Sequence, residues 1–220
     1  SSFNYAKKAV ALCEKAMLDF PRSAGANFCS ELLTSIQKPY SEIKMNGIIP
    51  IHTSSRIFIT YKNLDSLNFK LYKLDSKTNL ELQKTFQPEE RDLLISGLEV
   101  ISSWSEKFVN ENDHRFHSME AKLPELPIGS YLLLSQNPIN SSSHGYSFFD
   151  VSNLSYVSQE LDGKTTFRIL DRISGKPISG ASVEFLSHKK NHKSPILNQK
   201  FFADENGAIE VNSNENFYNL

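Results

Sequence analysis

The residues able to do covalent or redox chemistry are few, and the first of them are Cys13 and Cys29. They stand on either side of Pro21, each about two helical turns from it, with a rise of about 1.5 Å per residue. In an antiparallel helical hairpin they come to similar heights, so a disulfide between Cys13 and Cys29 is geometrically open; the alternative is two small buried thiols. The six histidines are His52, His114, His117, His144, His188 and His192. His114 and His117 have a separation seen in some ligand pairs, but they lie in the polar stretch 110–118 with no cysteine partner, and the sequence reads as a solvated loop there. The basic run from His188 to Lys193 reads as a solvated hairpin tip. Glu89, Glu90 and Glu205 already have structural reasons at a helix start and in a hairpin turn. Neither a Gly-x-Ser-x-Gly elbow nor a Walker-type phosphate loop occurs. No catalytic residue, cofactor or metal ligand is therefore assigned, and the chain is not expected to be an enzyme. Asn140 and Asn153 match a glycosylation pattern that is frequent by chance.

The elements that must position these residues follow from composition and period. The chain has 220 residues, enough for one large or two ordinary domains. With 24 Lys+Arg against 25 Asp+Glu, nothing in its charge points to nucleic acid or an anionic membrane. Hydrophobic residues are 39% and aromatics 11%, which supports packed cores and favours strands. No apolar run has the length of a membrane helix and no signal peptide is visible. Both termini read as cuts in a longer protein.

From Tyr5 to Ile36 the apolar residues fall at helical spacing, interrupted by Pro21-Arg22-Ser23, with Ser23 as N-cap. This predicts a helical hairpin over 1–40, similar in length to one unit of a tetratricopeptide-like array. After Pro39 the period becomes twofold. Short β-branched or aromatic runs at Ile57–Tyr61, Phe69–Leu74, Val100–Val109 around Trp104, His117–Leu123, Tyr131–Ser135 and Tyr146–Val151 predict a β-sandwich over 41–152. Between them, Gln87–Gly97 predicts a short helix that crosses between sheets. A second β module over 153–220 starts near Leu154, and its turns are marked by Asp162-Gly163, Gly175 with Pro177, Gly180, and Asn206-Gly207. The joint at Ser152-Asn153 is so short that the two modules are expected to touch, with Leu154 as the inter-domain contact. The fold class expected is thus mainly β: two consecutive antiparallel sandwiches preceded by an α-helical hairpin.

The run Phe167–Phe185 followed by Ala203–Val211 resembles extracytoplasmic β-sandwich repeats at large. Upstream, Leu123-Pro-Glu-Leu-Pro-Ile-Gly-Ser-Tyr131 resembles the penultimate strand of a macroglobulin domain, with Gly129 and Tyr131 where a tyrosine-corner hydrogen bond would lock the loop. Taken in order, these segments make nearly the whole chain similar to the N-terminal region of bacterial alpha-2-macroglobulin-like proteins, especially the large Bacteroidetes type. The resemblance implies macroglobulin, or Ig-like, sandwiches in a protein of the cell envelope, in the periplasm or associated with the outer membrane. It also implies proteases as partners of the full-length protein and neighbouring domains of the same chain as partners of this segment. Some family members carry a Cys-Gly-Glu-Gln thioester, but Cys13 is followed by Glu14-Lys15 and Cys29 by Ser30-Glu31, so covalent trapping is not expected here. The competing reading is a spacer or ligand-binding module of a surface adhesin or carbohydrate-related protein.

Overall fold

The computed structural model describes residues 5–138, 144–187 and 197–212. The basic run at His188–Lys193, the Asn140 pattern and both chain ends lie outside the described residues. The chain divides into two compact units, Ser1–Val151 and Ser152–Leu220.

The first unit opens with helices α1 (Tyr5–Asp19) and α2 (Ala24–Gln37). Ser23 caps α2 in the expected way, its hydroxyl oxygen accepting from the Ala26 amide at 3.1 Å. The helical period buries Cys13 and Ala26 between the helices, while Leu18, Phe20 and Phe28 remain exposed.

Two sheets follow. One has the order β1 (Tyr40–Lys44), β3 (Ser55–Lys62), β6 (His117–Leu123), all antiparallel. The other has the order β2 (Ile48–Ile49), β8 (His144–Val151), β7 (Gly129–Gln136), β4 (Ser66–Leu74), β5 (Val100–Lys107), with β2 parallel to β8. Between the sheets lies the main core. Ile57, Ile59 and Tyr61 of β3 and Ala121 and Leu123 of β6 meet Leu67, Phe69 and Leu71 of β4, Tyr131 and Leu133 of β7, and Phe149 and Val151 of β8.

The second sheet is covered on its other face too. Helices α3 (Ser76–Lys84) and α4 (Pro88–Ser96) bring Leu82 and Ile95 against Tyr72, Leu74, Leu132 and Leu134. Asp75 caps α3 by accepting from the Thr78 amide at 2.8 Å; its contacts with Thr78, the backbone amide first, hold its carboxyl below the usual range. Pro88 starts α4, with Glu89 and Glu90 in the first turn where the helix dipole favours acids. The expected sheet-to-sheet crossing does not occur at this helix. β4 and β5 pair antiparallel in one sheet, so α3 and α4 are an insertion between two neighbouring strands. The physical reason is the apolar outer face of β4 and β7, which water would otherwise meet.

The second unit is a smaller sandwich. One sheet has the order β13 (Ala208–Asn212), β10 (Lys164–Asp171), β9 (Leu154–Leu161), and the other is the hairpin of β11 (Ser182–Ser187) and β12 (Leu197–Phe202). Its core contains Phe167, Ile169, Phe185, Ala203, Ile209 and Val211.

At the start of β7 the Tyr131 hydroxyl donates to the Pro127 carbonyl at 2.7 Å, while its ring is fully buried and stacks on Phe149. Burial pushes the phenol pKa up. Tyr131→Phe keeps the ring and strands that carbonyl; it is expected to cost about 1–2 kcal/mol in a urea titration, with the near-ultraviolet aromatic signal retained. A midpoint equal to the parent's would show that the bond contributes nothing.

Candidate functional site

The loop between β5 and β6 gathers more titratable groups than its sequence suggests. Its start is anchored on Asp65: the Phe108 amide donates to the Asp65 carbonyl at 2.7 Å and Asn110 Nδ2 donates to Asp65 Oδ1 at 2.9 Å. The Phe108 ring stacks on Tyr61 with centroids 4.2 Å apart. Two left-handed residues, Asn112 (φ 49°) and His114 (φ 57°), then fold the chain back on itself, and asparagine and histidine are among the side chains that tolerate this region best. The Asn112 amide is held by Asn110 Oδ1 at 3.0 Å.

The fold-back separates the two histidines paired in the sequence reading. His114 Nδ1 lies 2.8 Å from Asn63 Oδ1. The Nδ2 of that same Asn63 donates to the carbonyls of Ile36 at 2.8 Å and Lys38 at 3.3 Å, where α2 ends. His117 Nε2 instead donates to Asp113 Oδ1 at 2.8 Å, and its ring lies against Tyr61 at 5.7 Å between centroids. Asp113 Oδ1 also accepts from the Arg115 amide at 2.9 Å. Donor atoms of Glu111, Asp113 and His117 all lie within 4.8 Å of one another. Burial opposes ionisation of Asp113, but the hydrogen bond from His117 and the Arg115 amide outweigh it and hold the carboxyl below its usual range. Tyr61 is pushed up, by burial first and then by the charges of Glu111 and Asp113.

Glu111 and Asp113 do not stand out in the sequence, because His/Cys spacing says nothing of acids two and four residues apart from one another and from a histidine. The signal available was Asn110-Glu-Asn-Asp113, a polar run with side chains suited to tight reversals, placed just before a strand that begins with His117.

The two cysteines face each other across the helical hairpin. Both are free thiols, and the Cys13 pKa is raised, most by a hydrogen bond with Cys29, then by burial and by the Cys29 charge. Closing a disulfide there spans a loop of about 15 residues, worth about 3 kcal/mol in chain entropy. Mild oxidation is expected to remove both titratable thiols and a pair of hydrogens from the intact mass, and to raise the melting temperature of the chain. Thiols that persist under diamide would rule the bridge out.

The turn residues of the second unit converge on one end of β10. The Gly175 amide donates to the Asp171 carbonyl and the Gly180 amide to the Ala203 carbonyl, at 2.8 and 2.9 Å. Pro177 bridges to Leu170, and Gly207 packs against Pro177 and Ile178. The Ser174 hydroxyl, then its amide, hold the Asp171 carboxyl low. Leu154 opens β9 with 51% of its surface exposed, and its carbonyl accepts from the Arg172 guanidinium at 2.9 and 3.1 Å. No helix among the described residues is long and apolar enough to cross a membrane.

No protein-family model matches the sequence, and no curated protein matches it. Solved structures do. A crystal structure of native alpha-2-macroglobulin from Escherichia coli spanning domains MG0-NIE-MG1 superposes with a TM-score of 0.62 at 12% identity, covering 82% of this chain and 59% of that one. A fragment of the same protein spanning NIE-MG1 gives a TM-score of 0.58 at 14% identity, covering 82% of this chain and 90% of that one. A mutant of Salmonella alpha-2-macroglobulin gives 0.53 at 10% identity over 80% of this chain and 10% of that one. At these identities the likeness is one of fold: a mainly β chain with the architecture of macroglobulin domains, its helical hairpin preceding the strands.

Proposed function

We propose that this chain is a non-catalytic structural segment of a bacterial alpha-2-macroglobulin-like protein, of the large Bacteroidetes type, and that it contributes to protease engagement or entrapment by the whole protein. The observation that supports this reading most is the fold likeness over 82% of the chain to the MG0-NIE-MG1 fragment. The residues that do conspicuous work in the second unit fix turns and loops, which is what a segment contributing geometry requires. Sandwich modules in short succession set the spacing of the domains around them, so its partners are neighbouring domains of the parent chain and, through the assembly, proteases. Such a protein works outside the cytoplasm, in the periplasm or at the outer membrane.

The test uses the full-length parent incubated with an endopeptidase. Entrapment leaves the enzyme active on a small peptide substrate while shielding a protein substrate from it. Removal of residues 1–220 is expected to reduce that shielding. A parent that shields no protein substrate would sink the reading for the whole protein; unchanged shielding after removal would sink it for this segment.

A further inference from the structure

We infer that Glu111, Asp113 and His117 form a binding site for a first-row divalent cation of the zinc type. The donor set is mixed, one imidazole nitrogen and two carboxylates, and its donor atoms already lie within 4.8 Å of one another. Zinc binds imidazole at about 2.0–2.1 Å and carboxylate oxygen at about 2.0–2.2 Å, so small side-chain rotations close the remaining gap around one ion. A nitrogen donor favours zinc over magnesium and calcium, which prefer oxygen-only shells.

The site is assembled by the loop's own construction. The left-handed Asn112 and His114 turn the chain so that residues 111, 113 and 117 present to one point. The His117 ring is seated against Tyr61, itself stacked on Phe108 and donating to the Val109 carbonyl at 3.3 Å. His117 Nε2 now donates to Asp113 Oδ1. On binding, the metal occupies Nε2, the proton displaced from it passes through solvent so that the neutral imidazole carries its single proton on Nδ1, and the Glu111 and Asp113 carboxylates turn to ligate the ion. Three protein donors leave water in the remaining position.

The consequence is mechanical. The same loop reaches the end of α2 through His114, Asn63 and the carbonyls of Ile36 and Lys38. A bound ion fixes the loop from its other side, so occupancy stiffens the attachment of the helical hairpin to the sandwich.

The experiment is zinc titration of the intact chain by calorimetry under reducing conditions, beside Glu111→Gln, His117→Gln and, as control, His114→Gln. Zinc held by the cysteines or by other histidines is common to all four proteins and cancels in the comparison. One equivalent is expected to be lost, or weakened roughly tenfold or more, in Glu111→Gln and His117→Gln, and kept in His114→Gln. Glu111 is exposed, so its variant folds even if His117→Gln does not. Hydrogen exchange should also slow at 108–117 when zinc is added to the parent chain. Equal zinc binding by the parent and Glu111→Gln, or loss in His114→Gln with retention in the other two, overturns the proposal.

Discussion

Leu133→Ala is expected to destabilise the first unit by about 2–5 kcal/mol, read as a lower urea midpoint in circular dichroism. Leu133 has no exposed surface and stands opposite Leu71 in the β4–β7 pair, facing the three-stranded sheet. Truncation there removes apolar contacts in the middle of the sandwich, where backbone on both sides is tied into ladders and cannot collapse into the space. Leu132→Ala should cost a similar amount for a different reason, because Leu132 points the opposite way, into the cluster beneath α3 and α4. Leu93→Ala is the control: that side chain, on α4, is 75% exposed and should change stability by no more than about 0.5 kcal/mol. A Leu132 variant as harmless as the Leu93 variant would mean that the helices do not cover the sheet, and an equally harmless Leu133 variant would dismiss the two-sheet core.

That pair of neighbouring leucines also shows what the sequence could tell. Tyr131-Leu-Leu-Leu134 does not alternate, because both faces of β7 are buried, and a run of this kind identifies a strand without saying what lies on either side. The covering element was partly hidden. α4 announced itself by Pro88 and two acids, but α3 is polar along most of its length and is held by one fully buried side chain, Leu82. Its N-cap, Asp75, was the available clue. Without α3, the segment after β4 looked like a passage to another sheet, whereas the chain returns beside the strand it left. β1 is hidden for a similar reason: Tyr40–Lys44 carries few apolar residues and is ordered by its antiparallel pairing with β3.

The candidate site was less legible than the fold. Strands and caps are local patterns, but Glu111, Asp113 and His117 meet only because Asn112 and His114 adopt left-handed backbone, and no spacing rule anticipates which of several permissive residues will do so. The sequence suggested His114 and His117 as the pair to consider; the fold-back turns one toward Asn63 and the other toward Asp113. Turn glycines are different, since their requirement is written into residue type.

Gly207 makes that requirement quantitative. It sits at φ +71°, and a Cβ built there would lie 2.6 Å from the Ile169 carbonyl oxygen, 3.0 Å from the Ile178 amide nitrogen and 3.0 Å from Pro177 Cβ. All three neighbours are constrained. The Ile169 amide donates to the Gly207 carbonyl at 2.8 Å, and the Ile169 carbonyl accepts from Ile178 at 2.9 Å, so the crowded oxygen belongs to a bridge that ties β10 to the turn after it. Gly207→Ala therefore incurs the left-handed penalty of about 1–2 kcal/mol together with a backbone displacement of about 1–3 kcal/mol. The second unit should lose roughly 2–5 kcal/mol by the sum of these terms, with hydrogen exchange speeding up first at the Ile169 and Ile178 amides. Gly163→Ala separates the two causes. Gly163 has nearly the same φ, +73°, yet nothing lies within 4 Å of its hypothetical Cβ, so only the conformational penalty applies. Equal losses in the two variants would mean that the turn around Gly207 opens without resistance, and that Pro177 and Ile178 do not close the sandwich at that end.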